Sequence, residues 1–110
     1  MDITNENKNG VIVLSVGGRM DAMTSGPFLE QCNEIVEGDP SNVVVDLGGL
    51  EYVSSAGLRS FLAFAKALKA HGKTLRFSGL TGMVEEVFTV SGFSRMFEIL
   101  PTVDEAVAKG

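Results

Sequence analysis

The hydrophobic positions of this chain fall into short runs that alternate between the period of a strand and that of a helix. Residues 11 to 16, VIVLSV, are rich in β-branched side chains and bounded by Gly10 and by Gly17-Gly18, a pattern that predicts a strand. A shorter segment around Ile3 to Glu6 pairs with it through Asn9-Gly10, a dipeptide suited to a tight hairpin turn. Phe28, Leu29, Cys32, Ile35 and Val36 then recur at helical spacing. Thr24, Ser25 and Gly26 are candidate caps for that helix, Pro27 falls in its first turn, and Gly38-Asp39-Pro40 ends it.

The run NVVVDL at 42 to 47 has the length and continuous apolar character of a strand covered on both faces. A helix starting near Ser54 or Ser55 and ending at His71-Gly72 follows, with Leu58, Phe61, Leu62, Ala65 and Leu68 on its inward stripe. Phe64 lies about 100° from the centre of that stripe, a place open either to rim core or to a contact surface. TLRFSG at 74 to 79 predicts another strand, and TGMVEEVFTVSG a short helix that begins at Thr81 and stops at Gly92. MFEIL fits a last edge strand, and 101 to 108 a terminal helix capped by Thr102. Strands alternating with helices in this order predict an α/β fold with a mixed, largely parallel sheet of four to five strands.

Length and composition narrow the picture. A chain of 110 residues, 45% of them hydrophobic, suits a single domain spanning 1–110 with a core that needs no disulfide or metal. Nine basic residues against fourteen acidic give a net charge of -5, with no basic cluster, so direct binding of nucleic acid is not expected. MDITNENKNG has neither a basic nor an apolar leader region, and no apolar run approaches the roughly 18 residues of a membrane span. The expected location is the cytoplasm, and a single Cys32 agrees with a reducing compartment.

Catalytic chemistry is hard to assemble from these residues. The one histidine, His71, falls where a helix ends and reads as a favourable partner of the helix dipole. Zinc has no ligand set, and Cys32 reads as a small core residue. Gly72-Lys73-Thr74 matches the last three positions of a phosphate-binding loop, but Ala67 stands where that loop needs a glycine and the flanking elements are in the wrong order. No catalytic residue, metal or cofactor is expected, and the chain reads as something other than an enzyme.

The stretch EYVSSAGLR, at the junction between the buried strand and the following helix, remains to be explained. The first N–H groups of a helix lack internal partners and carry partial positive charge, so Ser54 or Ser55 serves there as a cap contributing about 1 kcal/mol. The same electrostatics would accept a phosphate of roughly -1.5 to -2 charge without unfolding the domain. A partner that had buried this small, uncharged surface would not accept it, because a desolvated dianion needs a new cation.

These residues, VVVDLGGLEYVSSAGLRSFLAFAKALKAHGKTLRFSGL with VEEVFTVSGFSRMFEI after it and GGRMDAMTSGPF before it, resemble the STAS-domain family of bacterial anti-sigma-factor antagonists from about Val11 to Ile99. The resemblance implies a small mixed sheet with helices mainly on one side. It also implies partner switching: the unphosphorylated antagonist binds an anti-sigma-factor serine kinase, phosphorylation releases it, and a PP2C-type phosphatase restores it. Aligned on Gly57-Leu58, the family's Asp-Ser-Ser/Thr-Gly-Leu pattern puts the phosphoacceptor at Ser55, with Ser54 in the Asp position and Ala56 in place of the second hydroxyl. Ser54 is the second-choice acceptor. Asp21 matches the acidic residue that lies beside the acceptor in the family. Arg59 offers a cation for the phosphate, and the expected partner surface comprises Asp21, Ser54, Ser55, Gly57, Leu58, Arg59 and Phe64. An alternative reading is a scaffold or accessory subunit of a transport or other regulatory complex, in which the serines only cap the helix. A third, a small-nucleotide-binding protein, has only the exposed N–H groups at the helix start in its favour.

Overall fold

A computed structural model describes residues 1–110. The chain runs β1 (Asp2–Lys8), β2 (Val11–Met20), α1 (Ser25–Glu37), β3 (Val43–Val53), α2 (Ser55–Ala70), β4 (Leu75–Ser78), α3 (Gly82–Ser91), α4 (Phe93–Met96), β5 (Glu98–Leu100) and α5 (Val103–Ala108). The five strands form one sheet in the order β1-β2-β3-β4-β5. Only β1 runs antiparallel to its neighbour; β2 to β5 are parallel. This is the mixed, largely parallel α/β sheet expected from the alternation of periods.

The β1-β2 hairpin turns at Asn9 (φ 53°) and Gly10 (φ 83°), two successive left-handed residues whose twist matches that of the flanking strands. Val43, Val45 and Leu47 of β3 face the main core, built from the sheet and the helices on one side of it, while Val44 points to the opposite face. There it meets Val11, Val13, Ala106 and Val107 under α5, so β3 is covered on both sides as its continuous apolar run requires. Phe28, Phe61, Phe77, Phe88 and Phe93 pass through the main core as a chain of edge-to-face ring contacts, with centroids 5.1 to 6.1 Å apart.

Two elements are longer than their hydrophobic runs. Gly17-Gly18 do not end β2, and β3 continues past Leu47 through Gly48-Gly49 to Val53. The glycines make this possible: Gly17 lies opposite Gly49 across register shifts, and a Cβ on Gly49 would stand 3.4 Å from the Gly17 Cα. Since β4 pairs only with Val43 to Asp46, the paired ends of β2 and β3 project beyond the rest of the parallel sheet. Their last rung is the Ser54 N–H donating to the Met20 carbonyl at 2.8 Å. The EYVSSAGLR junction sits at the end of this extension.

The inward face of α2 is turned from the expected stripe. Gly57, Ser60, Phe61, Phe64 and Leu68 are buried, whereas Leu58, Leu62 and Ala65 are only partly so. The helix packs against α1 as well as the sheet, and Phe28 of α1 draws both Phe61 and Phe64 inward, with centroids at 5.5 and 6.5 Å. Phe64 is 1% exposed and belongs to the core, which corrects its assignment to the partner surface. Between α3 and β5 the chain makes an extra turn, α4, that the hydrophobic pattern did not resolve from its surroundings.

Candidate functional site

Ser54 has the extended backbone of a helix cap (φ -95°, ψ 175°), and its Oγ accepts the N–H of Gly57 at 3.3 Å. Ser55, the first residue of α2, is exposed, and its hydroxyl has no hydrogen-bond partner in the protein. Two adjacent serines thus carry different duties: one satisfies an orphan helix donor, and the other presents a free hydroxyl where helix N–H groups favour negative charge.

Behind them, Gly57 is buried against Met20 and Val53. A Cβ there would lie 2.8 Å from Val53 Cγ2 and 2.9 Å from Met20 Cγ, so this position is glycine to let the helix start close onto the ends of β2 and β3. Gly57 therefore shapes the site from beneath and offers no surface of its own, a correction to its place among the partner-facing residues. Leu58 is half-buried at the edge of the core, and Arg59 is exposed with no carboxylate within ion-pair distance.

Asp21 follows the last residue of β2, beside the α2 start. Its Oδ1 accepts the N–H groups of Met23 at 3.0 Å and Thr24 at 3.2 Å, folding residues 21 to 24 into a tight loop. Thr24 closes the loop from the other side: its Oγ1 accepts the Asp21 N–H at 2.9 Å and donates to the Arg19 carbonyl at 3.0 Å. Thr24 precedes α1 without capping it through its side chain, because that hydroxyl is committed to the loop. The Met23 N–H, with the Thr24 groups and the charge of Arg19, holds the Asp21 carboxyl below its ordinary pKa, against the opposite push of partial desolvation. Asp21 is a loop-fixing anion in this state, with one oxygen already engaged.

The loop carries Met23, whose side chain is 86% exposed. No reading of the sequence singled this residue out. The available signal was an apolar side chain between Asp21 and Thr24, outside the period of either neighbouring element. Arg19 stacks on the far side of the β2-β3 extension, its Cζ 4.3 Å from the centre of the Tyr52 ring.

Fold and site together define a class: a small α/β domain whose exposed serine opens a helix beside an acid-anchored loop. The chain belongs to the STAS domain family, whose model matches residues 2–106. It is 32% identical to a candidate anti-sigma factor antagonist of Bordetella bronchiseptica, covering 98% of this chain and 93% of that protein. It is 27% identical to the anti-sigma-F factor antagonist of Mycobacterium tuberculosis, covering 96% and 85%. The crystal structure of an anti-sigma factor antagonist from Mycobacterium paratuberculosis superposes with a TM-score of 0.89 at 24% identity, covering 98% of this chain and 92% of that one. No helix is long and apolar enough to cross a membrane.

Proposed function

We propose that this protein is an anti-sigma-factor antagonist that acts by partner switching. Unphosphorylated, it binds an anti-sigma-factor serine kinase through the surface around Ser55, Leu58 and Arg59; phosphorylation of Ser55 by that kinase releases it, and a PP2C-type phosphatase resets the cycle. The observation that carries this reading is the division of labour between the two serines. Ser54 spends its hydroxyl on the Gly57 N–H, so the free and exposed hydroxyl is that of Ser55.

A phosphate on Ser55 would meet the positive end of α2 and an unpaired Arg59 one turn on, which supports a modified domain that stays folded. An interface that had buried the surface of Ser54, Ser55 and Ala56 would have to desolvate the dianion, which supports release. The antagonist names of the Bordetella and Mycobacterium relatives point the same way.

The test is incubation with ATP and a purified serine-kinase anti-sigma factor, followed by trypsin and mass spectrometry. Cleavage yields the peptide from Met20 to Arg59, whose fragment ions separate Ser55 from Ser54. Phosphate on Ser55, with loss of kinase binding, is the expected result. An unmodified peptide would overturn the switch, and phosphate on Ser54 alone would move the acceptor to the second-choice residue.

A further inference from the structure

Met23 is the most exposed of the large apolar side chains, at 86%. Isolated exposed apolar residues are ordinary on protein surfaces, so exposure alone decides nothing. The backbone beneath Met23 is unusually constrained for a loop: its own N–H and that of Thr24 are bound to the Asp21 carboxylate, and the Thr24 hydroxyl ties both ends of the turn. The residues on either side of the loop lie against the start of α2: before it, the Met20 carbonyl accepts the N–H of Ser54, the residue that caps α2, at 2.8 Å, and after it the Ser25 carbonyl lies 3.5 Å from the Ser60 hydroxyl, which donates to the Ala56 carbonyl at 3.1 Å. Met23 is therefore displayed on the same end of the molecule as Ser55, at a fixed offset. It also forms one wall of an open groove in which Met1, Ile3 and Pro27 add apolar surface beside it, among the polar Asp2, Thr4 and Gln31.

We propose that Met23 is an anchor of the kinase interface, its side chain filling an apolar recess on the kinase while Ser55 faces the nucleotide site. The inference rests on the function proposed above and adds the residue that sets affinity for the partner. A loop held in place before binding loses little freedom on docking, and a flexible, polarizable thioether adapts to the recess it enters. The Asp21 carboxylate acts through the loop: its contribution to binding is to hold Met23 in position.

The experiment measures, by calorimetry, binding of the serine-kinase anti-sigma factor that labels the wild-type chain to wild type, Met23→Ser, Met23→Leu and Val90→Ser. Val90 is 82% exposed on α3 and controls for the loss of an exposed apolar group elsewhere. Met23→Ser should weaken binding by about tenfold or more, as an interface anchor does. Met23→Leu should stay within about threefold, since it keeps volume and apolar character. Melting temperatures should not move, and the phosphorylation rate at saturating kinase should hold while the kinase concentration needed for it rises. Undiminished binding by Met23→Ser, or an equal loss in Val90→Ser, would overturn the anchor and leave the switch standing. Failure of the wild type to bind any serine-kinase anti-sigma factor would remove the switch and the anchor together.

Discussion

The Ser54 hydroxyl takes the N–H of Gly57 at 3.3 Å, while Ser55, one residue on, keeps its hydroxyl free at the helix surface. Substituting the two serines should therefore separate stability from modification. Ser54→Ala leaves a helix donor without its partner and should cost about 1 kcal/mol in urea unfolding. Ser55→Ala, at an exposed first-turn position where alanine is a good helix former, should change stability by less than about 0.5 kcal/mol. Kinase labelling should vanish in Ser55→Ala and persist in Ser54→Ala. The reverse pattern would exchange the roles assigned to the two residues.

A permanent charge at Ser55 should act on binding and spare the fold. Ser55→Asp places an anion at the positive end of α2, which favours the helix by about 0.3–1 kcal/mol. Its melting temperature should equal or slightly exceed that of wild type, while kinase binding measured by calorimetry falls. A drop in melting temperature matching the loss of binding would mean that the substitution damages the domain and does not mimic release.

Most of the architecture was legible because local chemistry and tertiary packing agree. Thr102 caps α5 through the Glu105 N–H, Gly92 ends α3 in the left-handed region at φ 86°, and Asn9-Gly10 turns the hairpin. What could not be read depended on contacts distant in sequence. The glycines at 17, 18, 48 and 49 look like strand ends in isolation, yet they let two strands pass each other and continue to Met20 and Val53. Phe64 sits at the margin of an ideal stripe and becomes core only because Phe28 of α1 reaches it. At the site, spacing identified the serine pair but not which hydroxyl is occupied. Asp21 was found through resemblance, and its engagement with Met23 and Thr24 emerges only from the folded loop.

Phe64 gives the clearest test of that reassignment. At 1% exposure, edge-on to Phe28, its truncation to alanine should leave a cavity and cost about 3–5 kcal/mol, the range for buried aromatic residues. Phe64→Leu should recover much of that loss. Near-wild-type stability of Phe64→Ala in urea titration would return the residue to the surface.

Gly57 supports the site from below, so its substitution should couple stability to binding. A methyl group at 57 would overlap Val53 Cγ2 at 2.8 Å and Met20 Cγ at 2.9 Å. Met20 can swing away, but the β-branched Val53 is stiff, and overpacking of this kind costs about 1–3 kcal/mol. Since Met20 leads directly into the Asp21 loop, Gly57→Ala should also disturb the Met23 amide resonance. A stable variant with that resonance unmoved would show that the contact yields without shifting the loop.

The Asp21 loop should open in acid, and the sign follows from its hydrogen bonds. Donation from the Met23 N–H holds the Asp21 carboxyl below its ordinary pKa in the folded state, so protonation is easier when the loop is open. The loop's stabilisation is therefore complete above the ordinary carboxylate range, below about pH 4 it declines, and it is lost as pH falls through the depressed folded value. Glu98, lowered by the Arg76 hydrogen bond and then by Lys109, follows the same direction at the far end of the sheet, so a global melt would mix the two. Amide NMR separates them: the Met23 and Thr24 resonances should titrate with Asp21, at a midpoint below that of an unperturbed aspartate. In Asp21→Asn, which cannot titrate, the acid transition at those two amides should disappear while the one reporting on Glu98 remains. A midpoint at or above the ordinary value would mean that the carboxylate does not hold the loop.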